Sequence, residues 1–228
     1  MTNSDWSSDV CSSDLMNDPL KKWRYEAIGK RITETLAEKE YDAHYVDNLE
    51  EAKKLVLEMV PEGALIGLGG STTLNQMGII DTFREGNYRL IDRYNCANHE
   101  EEVQKYHEAM NAEYFLCSTN AITEAGELVN MDCSGNRVAA MIFGPQRVII
   151  VTGANKVVKD LNAAMARIKE IAPLNSKRIH HDTPCTHSGV CEDCQTRKRM
   201  CNYMTVIYHG RKNPGRITVI VVGDELGM

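Results

Sequence analysis

A turn rich in glycine and hydroxyl residues follows an apolar run early in the sequence. Residues 64–79 read ALIGLGGSTTLNQMGI, so two glycines and three hydroxyl side chains follow a predicted buried strand. Glycine lets the backbone approach a ligand closely, and the first N–H groups of the next helix lack intrahelical partners. The helix dipole adds positive potential at the same place. The pattern favours an anion-binding turn, with a structural turn capped by Ser71 as the alternative; its members are Gly69, Gly70, Ser71, Thr72 and Thr73.

A second group of polar residues lies among apolar runs between residues 118 and 137. Glycine turns place these polar side chains at predicted strand ends, where ligands bind in open α/β sheets. Glu124 is a candidate general base or nucleophile, and Arg137 is suited to bind a carboxylate with both arms of its guanidinium. The alternative is a set of Asx turns and buried hydrogen bonds that fix hairpins. The candidate ligand-binding residues of this group are Asn120, Asn130, Asp132, Asn136 and Arg137, together with Lys156 from the turn TGANK.

Four of the eight cysteines crowd into one short segment near the end of the chain. Their spacing is C-x5-C-x2-C-x6-C, and a C-x2-C pair is the usual centre of a tetrahedral metal site. The gaps do not decide between zinc and an iron–sulfur cluster, since zinc ribbons usually carry two such pairs and iron–sulfur sites accept varied gaps. We predict a metal or cluster, with His187 as a spare ligand, at Cys185, Cys191, Cys194 and Cys201.

The charge distribution restricts the partners that the chain can bind. The net charge is −6, and residues 176–216 hold eight Lys and Arg against three Asp and Glu, a local excess of +5. This basic segment suits thiolates, and it leaves open a metal-ribbon nucleic-acid binder that would use Arg197, Lys198 and Arg199. The acidic remainder of the chain argues against that function, because phosphate backbones need a basic surface.

The alternation of predicted elements indicates how these groups are positioned. Strands are predicted at 41–46, 64–68, 88–91, 114–118 and 147–152, and a helix is predicted between most of them. This alternation predicts an α/β fold with a mainly parallel sheet covered by helices on both faces. Asp18-Pro19 and the pair Asn48 and Glu51 are predicted helix starts.

The second half of the chain reads less regularly. Glycines at 126, 135, 144 and 153 separate short β-prone runs, which predicts strands joined by tight turns. Asp160 is predicted to cap a helix through Ile171 that ends before Pro173. Residues 174–201 are predicted to form an irregular Cys-rich insert, after which two strands, near 203–208 and 216–222, return to the sheet.

The first residues of the chain and its apolar runs bear on the domain bounds and on localisation. Residues 1–15 have no strand or helix period and repeat SSDV as SSDL, so we interpret them as a disordered or non-native leader. Residues 16–228 then form the domain. No secretory signal and no apolar run of membrane-spanning length is visible, which predicts a cytoplasmic protein without a membrane partner.

Three stretches carry a resemblance to a known family. They are GALIGLGGSTTLNQMGI, STNAITEAGELVNMDCSGNRVAAMIFGPQRVIIVTGANKVV and TPCTHSGVCEDC with RMCNYMTVI and GRITVIVVGDELG. Together they resemble the LUD-domain proteins, which are associated with lactate utilisation. The resemblance implies a fold similar to ribose-5-phosphate isomerases, glucosamine-phosphate deaminases and CoA transferases, where such a turn holds phosphate or carboxylate. It implies no particular reaction, and the tandem ferredoxin-like cysteine runs of an electron-carrying subunit are absent from the sequence.

These observations lead to three functional hypotheses. The first is a protein that binds a small anionic metabolite, a hydroxy or keto acid or its phosphate, as an enzyme or an accessory subunit. The backbone N–H groups of residues 70–73 would hold the anion, and Glu124 would act as acid or base. The second is a non-catalytic scaffold whose metal or iron–sulfur cluster docks a redox or complex partner protein. The third is the metal-ribbon nucleic-acid binder, against which the acidic charge argues.

Overall fold

The computed structural model describes residues 19–228. The helices of this part are α1 (Pro19–Glu38), α2 (Leu49–Met59), α3 (Thr72–Gln76), α4 (Ile79–Glu85), α5 (His99–Ala109), α6 (Asn136–Ile142), α7 (Leu161–Arg178) and α8 (Pro184–Ser188). The strands are β1 (Asp42–Val46), β2 (Leu65–Leu68), β3 (Arg89–Leu90), β4 (Tyr114–Cys117), β5 (Ala121–Thr123), β6 (Leu128–Asp132), β7 (Arg147–Gly153), β8 (Val157–Val158), β9 (Tyr203–Ile207) and β10 (Ile217–Val222). The leader predicted at residues 1–15 and the capping residue Asp18 lie outside the described residues. Within those residues no helix combines the length and the apolar character that a membrane crossing requires.

The main sheet has six parallel strands in the order β1-β10-β7-β4-β2-β3. Each of these strands overlaps a run that the sequence predicts as a strand, and helices connect most of them. The prediction of an α/β fold with a mainly parallel sheet is therefore confirmed. The last strand, β10, lies between β1 and β7, so the end of the chain completes the interior of the sheet.

Helices cover both faces of this sheet because the strand side chains alternate between two apolar layers. In β4, Phe115 and Cys117 pack in one layer with residues of α1 and α6, while Leu116 packs in the other with residues of α2, α3 and α4. The same alternation runs through β7 and β10. Strands that are buried on both faces must be almost continuously apolar, which is how β7 and β10 read in the sequence.

A second sheet contains four short strands in the order β8-β5-β6-β9. Helix α7 packs on it through Ala164 and Ile168, which contact Ala121 and Val129 of the sheet. The strand β9 pairs antiparallel with β6, with Tyr203 opposite Asp132. The prediction that both final strands return to the main sheet is therefore correct for β10 and wrong for β9.

Two helix starts follow the predicted capping chemistry. The side chain of Asn48 accepts a hydrogen bond from the N–H of Glu51 at the start of α2, and Asp160 accepts one from Ala163 at the start of α7. Ser71 caps α3 by accepting from the N–H of Leu74. These caps satisfy backbone donors that the first turn of a helix leaves without partners.

Three local predictions are wrong. The run between Gly135 and Gly144 is the helix α6 rather than a strand, because Gly135 enters it with a left-handed φ of +81° and Asp132 accepts from the N–H of Val138. The single helix expected between the strands predicted at 64–68 and 88–91 is divided at Gly78, whose φ is +63°. Helix α7 continues through Pro173 to Arg178, where Pro173 and Ser176 are buried, so tertiary packing outweighs the loss of one helical hydrogen bond.

Candidate functional site

A cavity of about 560 Å³ opens where three neighbouring parallel strands end. Gly70 follows β2, Ser118 follows β4 and Lys156 lies just after β7, and all three residues line the cavity. The strands β7, β4 and β2 are adjacent in the sheet, so residues that are far apart in sequence meet at one edge. In open α/β sheets this edge is the usual place for a ligand. Helix α7 and the segment that contains Cys201 form another part of the wall.

The predicted glycine and hydroxyl turn lies at this cavity. Gly70, Ser71, Thr72 and Thr73 line it, and the buried Oγ1 of Thr72 has no hydrogen-bond partner in the described part of the chain. Ser71 uses its hydroxyl to cap α3, so it stabilises the turn. Gly69 does not line the cavity. A Cβ at this position would lie 2.9 Å from Cys117 Cβ and 3.2 Å from Arg137 Cγ. The glycine at 69 therefore lets Arg137 pack closely against the strand end.

Arg137 is the centre of a saturated hydrogen-bond network. Its Nε and Nη2 donate to Asp132 at 2.9 and 2.6 Å, and its Nη1 donates to the Ser118 carbonyl and to Asn130 Oδ1, each at 2.7 Å. Its Nη2 also donates to Asn120 Oδ1 at 2.9 Å. Each nitrogen of the guanidinium is therefore engaged by protein oxygens. The predicted bidentate partner of Arg137 is a carboxylate of the protein itself.

The predicted amides divide between this network and the cavity wall. Asn120 Oδ1 also accepts from the N–H of Met131, and the backbone N–H of Asn120 donates to Asn130 Oδ1. Asn130 is fully buried, and its Nδ2 has no partner within residues 19–228. Asn120 and Asn136 line the cavity with Asp132 and Arg137. Asn130 does not line it and accepts a hydrogen bond from Arg137. These residues therefore lie together, and much of the group holds Arg137 in place.

Lys156 differs from Arg137 in having no carboxylate partner among the described residues. It is 5% exposed, and its Nζ donates to Thr73 Oγ1 and Ser118 Oγ, each at 3.2 Å. Burial lowers the pKa of Lys156 to about 7, and the nearby cations Arg167 and Arg137 act in the same direction. An amine in this setting exchanges its proton near neutral pH, which is a property of functional lysines.

The sequence analysis missed a third cation at the cavity. Arg93 Nη2 donates to Glu102 Oε1 and to the hydroxyl of Tyr106, each at 2.7 Å, and its buried Nε has no partner in the part of the chain that the structure describes. Tyr106 also donates a short hydrogen bond to Glu102. Burial raises the pKa of Tyr106, and its bond to Glu102 adds to that effect. Two signals were present: Arg93 lies just after the strand β3, and Glu102 and Tyr106 are four residues apart on α5.

Glu102 is the anionic partner of Arg93. Burial works to raise the pKa of Glu102, but the hydrogen bonds from Tyr106 and Arg93 outweigh it, so the pKa lies below its ordinary value. A carboxylate held ionised in this way fixes the guanidinium of Arg93 beside the turn. A Cβ on Gly70 would lie 3.4 Å from Arg93 Nη1.

The structure does not bring Glu124 to the cavity. Glu124 follows β5 on the second sheet, and its carboxylate pairs with Arg31 of α1 at 2.9 Å, with both side chains half exposed. It is not among the residues that line the cavity. The expectation that it shares a cleft with the glycine turn fails because β5 leaves the main sheet and carries Glu124 to the opposite end of the hairpin.

The four clustered cysteines lie at different depths in the segment after α7. Cys185 is buried, Cys191, Cys194 and Cys201 are half-buried, and Cys201 lines the cavity. Burial raises the pKa of the Cys201 thiol, and Cys191, Cys185 and Cys194 add to that increase, so the four sulfurs are electrostatic neighbours. Within residues 19–228 no group of three or more His, Cys, Asp or Glu side chains stands in a metal-holding arrangement. The metal ligands therefore stay a prediction.

The charged side chains around the cavity give it a positive balance. Arg93, Arg137, Lys156 and Arg178 contribute four positive charges when Lys156 is protonated, and Glu102 and Asp132 contribute two negative charges, a net of +2. Both carboxylates already accept hydrogen bonds from arginine. Among the other donors of the lining residues, Arg93 Nε and Thr72 Oγ1 have no partner in the described part of the chain, and the Lys156 amine has only hydroxyl partners.

Comparisons with known proteins give a family and two similar solved structures. The LUD domain family model matches residues 29–222, a range that contains the ends of β2, β4 and β7 at the cavity. No curated protein matches the sequence. Among solved structures, the chain is similar to a DUF162 family protein from Deinococcus radiodurans, with 12% identity, coverage of 86% of this chain and 96% of that chain, and a TM-score of 0.47. It is also similar to ribose 5-phosphate isomerase A from Neisseria gonorrhoeae, with 12% identity, coverage of 90% and 96%, and a TM-score of 0.38.

Proposed function

The chain belongs to the LUD domain family, and from this premise we propose that its cavity binds a small anionic metabolite in lactate or hydroxy-acid utilisation. The ligand is a hydroxy acid, a keto acid or a phosphate of one. The protein acts on it as an enzyme or presents it as an accessory subunit. The proposal rests above all on the donors that surround the cavity and that the protein leaves without an anionic partner.

The chemistry of these donors supports a carboxylate or phosphate ligand. Arg93 keeps its buried Nε free of partners in the described residues, although its Nη2 is fixed by Glu102. A buried donor without a partner costs about 1–3 kcal/mol, so an anion that accepts from Arg93 removes a cost already present in the folded protein. Thr72 Oγ1 offers a second donor of the same kind.

The size of the cavity also fits a small metabolite. Its volume of about 560 Å³ lies within the ~300–1,000 Å³ that is typical of ligand pockets. Apolar side chains of α7, Ile168 and Ile171, line one wall, and the charged groups line the other walls. Such a site holds one polar end of a ligand firmly and leaves room for a carbon chain.

Isothermal titration calorimetry with lactate, pyruvate, sugar phosphates and CoA esters tests the proposal. For any compound that binds, Arg93→Gln should weaken binding by about tenfold to a hundredfold, because a charged hydrogen bond contributes about 1.5–3 kcal/mol. Thr72→Val should weaken it less, since it removes a neutral donor. Arg89→Gln is the matched control, because Arg89 pairs with Glu113 on the surface only four residues earlier.

Two outcomes would contradict this proposal. One is that none of these anions binds to the folded protein. The other is that Arg93→Gln and Arg89→Gln change the affinity equally, since a binding site built on Arg93 must distinguish the two arginines.

A second candidate function concerns the cysteine segment, and we propose it for one specific reason. Arg199 donates to the backbone carbonyls of Cys194 and Cys201, each at 2.7 Å, and also pairs with Asp193. The arginine thus ties two of the four cysteines together next to the cavity wall. A metal or iron–sulfur cluster on Cys185, Cys191, Cys194 and Cys201 would then serve a structural role or pass electrons to a partner protein.

Anaerobic purification followed by metal analysis distinguishes the forms of this second candidate. Iron with acid-labile sulfide supports electron transfer, and zinc supports a structural site. Cys194→Ser should abolish the metal, while Cys96→Ser, far from the segment in sequence, should leave it unchanged. A protein without metal and with four reactive thiols would end this candidate.

Two of the basic residues that a nucleic-acid binder would use are engaged inside the segment, since Lys198 pairs with Asp182 and Arg199 with Asp193.

A further inference from the structure

The Lys156 amine is enclosed in a way that favours its neutral form. Its Nζ contacts the hydroxyls of Thr73 and Ser118, and Gly227 closes over it so tightly that a Cβ there would lie 2.8 Å from Nζ. No Asp or Glu within residues 19–228 lies at ion-pair distance from this amine. A lysine that only anchored an anion would gain from a carboxylate neighbour that keeps it charged, and the structure supplies hydroxyls in that place.

The charges around Lys156 act in the same direction. Arg137 and Arg167 are the charged neighbours that matter, and both disfavour a third positive charge. With its pKa lowered to about 7 by burial and by these arginines, a large fraction of the amine is neutral at neutral pH. A neutral amine is a nucleophile, and a desolvated lysine beside other cations is a known way to obtain one.

The turn places this nucleophile opposite the anion-binding donors. Arg93 lies beside Gly70 at the start of the turn, and Lys156 contacts Thr73 at its end. Arg93, Thr72 and Lys156 line the same cavity, so we expect a ligand that binds these donors through its carboxylate to present its adjacent carbon to the amine. In a 2-oxo acid that adjacent carbon is a carbonyl carbon.

We propose that Lys156 forms an imine with the carbonyl carbon of a 2-oxo acid bound in this cavity, an inference that rests on the proposed function. The lone pair of Nζ forms a bond to the carbonyl carbon, and the C=O π electrons move to the oxygen. The nitrogen then gives up its two hydrogens, the oxygen leaves as water, and a C=N bond remains. The step needs no oxidant or reductant. The hydroxyls of Thr73 and Ser118, both on Nζ, are placed to relay these protons.

Reductive trapping tests the inference. The intact protein is incubated with pyruvate and sodium cyanoborohydride, and the modified site is located by mass spectrometry of its peptides. The expected result is a reduced pyruvate adduct on Lys156 in the unaltered chain. Lys156→Met should abolish the adduct, and Lys159→Arg, an exposed lysine three residues away, should leave it unchanged.

The arms of this experiment separate the inference from the proposed function. If calorimetry shows that pyruvate and lactate bind but no adduct forms on Lys156, the imine is wrong and the anion site stands. If none of the anions tested by calorimetry binds and no adduct forms, both proposals are wrong. An adduct spread over surface lysines to the same extent as Lys156 also overturns the inference. Because the site is located on the unaltered chain, the result does not depend on how Lys156→Met folds.

Discussion

Arg137 and Lys156 are two buried cations on the same cavity, and the protein treats them in opposite ways. Arg137 donates to Asp132, to two asparagine side chains and to two backbone carbonyls. Lys156 meets two hydroxyls and no carboxylate of the described residues. The first cation is paired with a carboxylate inside the fold, and the second has only hydroxyl partners there.

The difference shows how to tell the residues of a polar cluster that stabilise the fold from those whose donors stay open to a ligand. A guanidinium whose donors are all engaged has nothing left to offer a ligand, so it stabilises the shape of the cavity. An amine or guanidinium with open donors carries a desolvation cost that a ligand can relieve. By this criterion we propose Arg93 and Lys156 as the binding part of the cavity and Arg137 as its frame.

The largest expected effect comes from breaking the frame. Arg137→Met leaves the buried carboxylate of Asp132 without its cation, and such a loss costs about 3–5 kcal/mol of unfolding free energy. Urea denaturation followed by circular dichroism measures it. The double variant Arg137→Met with Asp132→Asn should recover part of the loss. A cost below about 1 kcal/mol would mean that the network is no more than a surface ion pair.

The second effect is the pH dependence that Lys156 contributes, which the buried Cys117 opposes above about pH 8.5 because burial raises the pKa of its thiol. Lys156 titrates near 7 in the folded protein and near ~10.4 in the unfolded chain. Between these values the unfolded chain binds one more proton, so the free energy of unfolding rises with pH by up to about 1.4 kcal/mol per pH unit. Denaturation of Lys156→Met across the same range should lack this rise. Parallel curves for the two proteins would show that Lys156 is not desolvated.

Two adjacent glycines test the same contrast at smaller scale. In Gly69→Ala the new Cβ would lie 2.9 Å from Cys117 Cβ and 3.2 Å from Arg137 Cγ, and such overpacking costs about 1–3 kcal/mol. In Gly70→Ala the Cβ meets only Arg93, at 3.4 Å or more, so stability should change by less than about 0.5 kcal/mol. Thermal denaturation of both variants gives the comparison. Equal losses would contradict the placement of Gly69 against the frame.

The smallest effect is expected at Glu124. Its pair with Arg31 is half exposed, and such pairs contribute about 0–1 kcal/mol. Glu124→Gln should therefore change stability by less than about 1 kcal/mol and leave the affinity for anions unchanged in calorimetry. A large loss of binding would place Glu124 at the cavity after all.

Local patterns predicted the parts of the fold that depend on neighbours in sequence. The apolar runs at β2, β4, β7 and β10 marked the main sheet, and Asn48 and Asp160 marked helix starts by chemistry that acts within one turn. The helix α6 escaped prediction, because its apolar run suits a strand as well as a helix and Asp132, four residues before it, helps to settle the matter.

The sequence by itself determined most strands of the main sheet, the glycine and hydroxyl turn, and the clustering of the cysteines along the chain, and it pointed to Lys156, which lines the cavity. Only the tertiary structure decided that Arg137 is saturated, that Arg93 joins the cavity and that Glu124 leaves it. The reason is the sequence separation of the contacts: Lys156 donates to Thr73, 83 residues away along the chain, and to Ser118, 38 residues away. Whether a buried charge finds a partner depends on such distant contacts, and no local pattern contains them.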